Sequence, residues 1–188
     1  MNLYDELPDR VELDGKTYLL DLTFNVVLLA LDVAEDERLT LPQRIETECR
    51  ILLKDEEDLP ESFEAQQRLL TGIFDLFPGG DAGGERYIDL HQDAQMILTA
   101  FYRIGIDLRK DRIHFAQFLE LISDLPSDTA LMRTIEIRQR PLPKPNKHNA
   151  AEIAALQRAK QKVALHISEE ERRRRFAASL KASNLLRG

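Results

Sequence analysis

The spacing of apolar residues between Tyr87 and Arg138 constrains this 188-residue chain more than any other feature. Ala94, Ile97, Leu98 and Phe101 recur at steps of three, one and three. At 3.6 residues per turn that spacing lays four apolar side chains along one stripe of a helix. Gly105 follows, where a helix end favours a residue that accepts positive φ. After Ile106-Asp107-Leu108 a second stripe begins, formed by Phe115, Phe118, Leu119 and Ile122. Leu125-Pro126-Ser127-Asp128 ends that helix and supplies an N-cap for a third, which carries Leu131 and Ile135. Three short helices joined by tight turns make a scaffold, with Phe101, Phe115, Phe118 and Ile122 as its core or partner-face candidates.

Toward the N-terminus, Val11 and Leu13 alternate with polar neighbours, and Asp14-Gly15 separates them from Thr17-Tyr18-Leu19-Leu20. Asp-Gly between two short extended runs predicts a tight hairpin. An isolated hairpin is marginal in water, so this one is expected to lean on the helices or to pair with another chain. Thr23 starts a helix with Phe24, Val27, Leu28 and Leu31 on one stripe. Thr40 and Pro42 start another that buries Ile45, Cys49 and Leu52. Pro60 and Ser62 open a third, with Phe63, Leu70, Ile73, Phe74 and Phe77 facing one way. The following segment, Phe77 to Glu85, holds four of the eight glycines. It is not a phosphate-binding loop, which would follow a buried strand and open a helix with Gly-Lys-Ser/Thr.

Charge divides the chain unevenly. Residues 1–137 hold 13 Lys+Arg against 29 Asp+Glu, whereas residues 138–188 hold 13 against 4, and the net is −7. An acidic body with a basic C-terminal arm follows. Pro141-Leu142-Pro143-Lys144-Pro145-Asn146 reads as a stiff extended linker. The expected division is a helical body with its hairpin over 1–140, a Pro-rich linker over 141–148, and a basic helical arm over 149–188. Ile153, Leu156 and Val163 form a thin apolar stripe in that arm. Arg172, Arg173, Arg174, Arg175 and Phe176 continue it as an interaction element. The expected fold class is mainly α.

No catalytic constellation is assembled in the sequence. His91, His114, His148 and His166 do not share a helix at metal-ligand spacing, and the single cysteine, Cys49, lies on an apolar face. Asp89, Asp93, Asp107, Asp111 and Asp124 are explained by helix starts and turns. The four adjacent arginines spread around a helix directly after Glu169–Glu171, which suits a solvated helix or an acidic partner better than a duplex. His114 reads as a packing or helix-surface residue. With no apolar run of membrane length and no secretory leader, the chain reads as intracellular and soluble. It is expected to be non-enzymatic and to need no cofactor or metal.

Tyr87, Asp93-Ala94, Phe101, Gly105-Ile106-Asp107-Leu108, His114, Phe118, Leu121, Leu125, Thr129, Ile135 and Ile137-Arg138 form an ordered succession. It resembles the gene product fifteen family of tailed bacteriophages over about fifty residues. One departure is clear: the family tends to place a tryptophan pair after the histidine, where this chain has Phe115-Ala116 and no tryptophan at all. Such genes sit in the tail-assembly region of long-tailed phages. The resemblance therefore implies a tail assembly protein, a chaperone for the tape-measure protein, in the cytoplasm of the infected or lysogenic bacterial host. The tape-measure protein, other tail assembly proteins and a second copy of the chain are the implied partners; membrane and nucleic acid are not. The competing readings are a structural virion component such as a head–tail connector or tail-completion protein, then a nucleic-acid-binding factor using the basic arm, and last an undetected hydrolase.

Overall fold

The computed structural model describes residues 6–77 and 87–166. Among them are two strands and seven α-helices, so the chain is mainly α with an N-terminal antiparallel hairpin. Strand β1 (Arg10–Leu13) pairs with β2 (Lys16–Leu19) in the register Val11 to Tyr18 and Leu13 to Lys16. Asp14 and Gly15 take φ of 52° and 79°, the positive values that a two-residue hairpin turn requires.

The helices are α1 (Phe24–Ala34), α2 (Leu41–Leu52), α3 (Phe63–Phe74), α4 (Ala94–Arg103), α5 (Phe115–Ser123), α6 (Ala130–Gln139) and α7 (Ala150–Val163). Their starts follow local chemistry. Gln43 Oε1 accepts from the Thr40 backbone N–H at 2.9 Å ahead of Pro42, and Ser62 Oγ accepts from Ala65 N–H. Thr23 occupies the N-cap of α1 without capping it; its hydroxyl donates to Asp21 instead, at 2.6 Å. The cap of α6 is Thr129, one residue beyond the Leu125–Asp128 run: it is 1% exposed, and its Oγ accepts from Met132 N–H.

The chain divides into two compact units, 1–84 with 101–125 and 85–100 with 126–188, and the division passes through α4. In the first unit β1 lies against α3. Gly72 permits that approach, because a Cβ there would sit 3.1 Å from Val11 Cγ2. The hairpin therefore leans on a helix. Beyond β2 the extended chain makes two further bridges, Leu20 to Leu53 and Thr23 to His114. The core combines Leu20, Val27, Cys49, Leu52, Leu69, Ile73, Phe101 and Phe118, and all three residues expected to be buried on α2 are. On α5 the stripe is narrower than its spacing suggests: Phe115, Phe118 and Ile122 are buried, but Leu119 is 40% exposed.

In the second unit α6 and α7 pack together. Leu131, Ile135 and Leu156 are buried there, and Ile153 and Val163 are half-buried. The sequence sets 149–188 apart as an arm. Its described part is a helix seated on α6 across the Pro141–Asn146 stretch.

Candidate interaction site

The four core candidates, three of them aromatic, all lie in the first unit and are buried there. Phe118 stacks on Phe101 with ring centroids 5.2 Å apart and a 16° tilt, and meets Phe24 at 4.3 Å. Phe115 lies 6.0 Å from Phe118 and meets Phe77 edge-on at 5.2 Å. Phe101 and Phe118 are fully buried, and Phe115 and Ile122 are 8% and 9% exposed. These side chains hold α1, α4 and α5 together; they do not form an outward face. Of the arm candidates, Leu156 is covered by α6, while Arg172 to Arg175 and Phe176 lie outside the described residues.

His114 does more than pack. It is the N-cap of α5, with Nδ1 accepting from Ala116 N–H at 3.1 Å. Its Nε2 lies 2.9 Å from the Pro8 carbonyl oxygen and so carries the ring hydrogen in this arrangement. Phe24 N–H donates to Ile113 O and Phe115 N–H to Leu22 O on either side of it. One imidazole thus ties the N-terminal segment to α5.

The Gly105-Ile106-Asp107-Leu108 run is turn chemistry. Gly105 takes φ of 87°, Ile106 N–H donates to Phe101 O, and Asp107 N–H donates to Asp111 Oδ2 at 2.8 Å. The Arg109 backbone N–H and the Lys110 ammonium hold the Asp107 carboxyl below the usual carboxylate range.

The least anticipated feature is a buried ion pair in the second unit. Asp93 and Arg138, with side chains 1% and 6% exposed, form a two-pronged bridge at 2.6 and 2.8 Å. The guanidinium also donates to Tyr87 O at 2.7 Å and Val163 O at 2.6 Å, and Asp93 Oδ2 accepts from Asp89 N–H. Lys160 donates to Arg138 O, while Gln92 exchanges bonds with Ala164 O and His166 N–H. These bonds join the turn before α4, the end of α6 and the end of α7. Sequence reasoning assigned Asp93 to capping; the signal that it overlooked was Tyr87, Asp93 and Ile137-Arg138 standing together in one family-like pattern.

Two further groups on α2 are chemically unusual. Glu48 is 4% exposed, and burial pushes its carboxyl up to about 7 despite the nearby Arg44 charge. Arg44 Nη1 donates to Ala34 O, while its buried Nε has no hydrogen-bond partner among the described residues. Burial pushes the Cys49 thiol up to about 12, which keeps it an inert thiol near Gln66 O.

Among the described residues, no group of three or more His, Cys, Asp or Glu is placed to hold a metal ion. No described helix is long and apolar enough to cross a membrane. What these residues define is a helical protein whose polar clusters hold segments together. A model of the family described as "Bacteriophage Gp15 protein" matches residues 3–165, and the chain belongs to that family. Membership supports a structural or assembly role in a bacteriophage. No curated protein and no solved structure matches the chain.

Proposed function

We propose that this protein is a tail assembly factor that chaperones its phage's tape-measure protein without catalysis. The observation that carries the reading is the family match across residues 3–165. The acidic 1–137 portion, with 13 Lys+Arg against 29 Asp+Glu, supports it. So do the exposed Leu19, Leu29, Leu41 and Tyr102 in the same portion. A long helical client needs its apolar stripe covered before a tail tube forms around it. An acidic surface bearing isolated apolar side chains supplies groove contacts and charge complementarity together.

Co-expression is expected to keep the tape-measure protein soluble. A pull-down is expected to recover both chains at low salt and less at high salt, because exposed charges are screened beyond about 8–10 Å at physiological ionic strength. Stoichiometric copies in washed virions would replace this reading with the structural-component one. Tight, salt-sensitive duplex binding without tape-measure recovery would replace it with the nucleic-acid one.

A further inference from the structure

Helix α1 is apolar nearly all round: only Asn25 and Asp32 interrupt Phe24 to Ala34. A helix of that composition is ordinarily enclosed. Here only Val27 and Ala30 are buried. Two sides are accounted for, because Phe24 meets Phe118 and the helix packs along α2. On the edge opposite Phe24, Val26, Leu29 and Val33 stand three and four residues apart and so share a stripe. Leu29 at the centre of that stripe is 53% exposed, and Val26 and Val33 on either side of it are partly covered.

The electrostatics at the end of this stripe are equally one-sided. The last turn of α1 has no basic residue, yet Glu35, Asp36 and Glu37 follow it directly. Carboxylates at a helix C-terminus oppose the macrodipole, so that end is a concentrated negative pole. Arg44 reaches the last turn through Ala34 O, and Arg38 is held on Asp36 at 2.6 Å, leaving Glu35 and Glu37 exposed to solvent. The surface thus combines an apolar stripe with an acidic end.

We propose that Val26, Leu29 and Val33 form a docking stripe for an amphipathic helix of another protein, one whose apolar face is flanked by lysine or arginine. Apolar contact supplies affinity, and Glu35 and Glu37 select basic over acidic flanks. The inference deepens the client-binding function proposed above and rests on it only for the identity of the client. Phe118 and Phe101 beneath α1 keep the stripe in place.

The test uses the full chain and two labelled synthetic helical peptides with the same leucine stripe, one with lysine flanks and one with glutamate flanks. The lysine peptide is expected to bind at least about tenfold more tightly, with the difference shrinking as salt rises. Leu29→Ser is expected to weaken that binding by about tenfold or more while melting like the wild type, since Leu29 is largely exposed. Glu35→Lys combined with Glu37→Lys is expected to abolish or invert the preference between peptides. Leu142→Ser, at a comparably exposed leucine elsewhere, is the control and is expected to change nothing. Unchanged binding by Leu29→Ser, equal binding of both peptides, or an equal loss with Leu142→Ser would each overturn the proposal. Pull-down of the tape-measure protein with the same variants separates the two claims. Recovery that ignores Leu29→Ser sinks the stripe and leaves the function standing. A peptide contrast that holds while wild type recovers no tape-measure protein sinks the function and leaves the stripe standing.

Discussion

At the scale of the residue, the buried groups carry the sharpest expectations. Removing either side chain of the Asp93–Arg138 pair leaves the other charge enclosed without its counterion. Asp93→Ala and Arg138→Ala are each expected to cost about 3–5 kcal/mol in urea unfolding. Arg138→Lys is expected to rescue little, because an ammonium cannot reproduce the two-pronged bridge and also reach Tyr87 O and Val163 O. A Lys variant as stable as wild type would show that the fork geometry is unimportant. Glu48 gives a pH dependence. Its folded carboxyl titrates at about 7 and an unfolded glutamate at 4.5, so between those values the folded state keeps a proton the unfolded state has lost. Stability therefore falls as pH rises through that window, and the loss is complete above 7. Glu48→Gln, which resembles the protonated acid, is expected to flatten that slope and to gain about 2 kcal/mol over wild type at pH 8. Parallel curves for the two proteins from pH 4 to 8 would show that Glu48 ionises without penalty.

At the scale of the element, the aromatic cluster and the cap of α5 are separable. Phe118 touches Phe24, Phe101 and Phe115, so Phe118→Ala is expected to cost about 3–5 kcal/mol through lost contacts and the cavity left behind. His114→Ala removes a cap and leaves Pro8 O without its donor, an expected cost of about 1–3 kcal/mol. His114→Asn can restore the cap but is too short for Pro8, so it is expected to recover part of that loss. Thermal melts of the three variants read both effects. The helices themselves were legible because apolar period, Pro at a first turn and Gly after a last turn are local signals. Leu119 departs from its expected burial, and the cap of α6 falls at Thr129 just past the Leu125–Asp128 run, because periodicity marks a stripe but not its width, and several polar residues near a helix start can compete for one cap.

At the scale of the whole molecule, the division of the chain changes what truncation should do. The Pro141–Asn146 stretch marks where helix is forbidden, but α7 returns to α6 beyond it. A chain ending at Pro143 would leave α6 without α7, strip Val163 O from Arg138 and remove Lys160 from its carbonyl. It is expected to melt well below the full chain. An unchanged melting temperature would mean that α7 contributes no net stability to α6.

The sequence by itself determined the helical class, the Asp14-Gly15 hairpin, the stripes of α2 and α5, the acidic-to-basic asymmetry and the family. Each is written within a few turns of chain or in simple totals. Tertiary structure alone decided that Asp93 meets Arg138 across 45 residues and that His114 reaches Pro8 across 106. It also decided that β1 rests on α3 at Gly72, and that Leu29 stays exposed while Val27 and Ala30 do not. Periodicity states which side chains share a face. Which face is covered, and which polar group finds its partner there, depends on segments that only folding brings within hydrogen-bond reach.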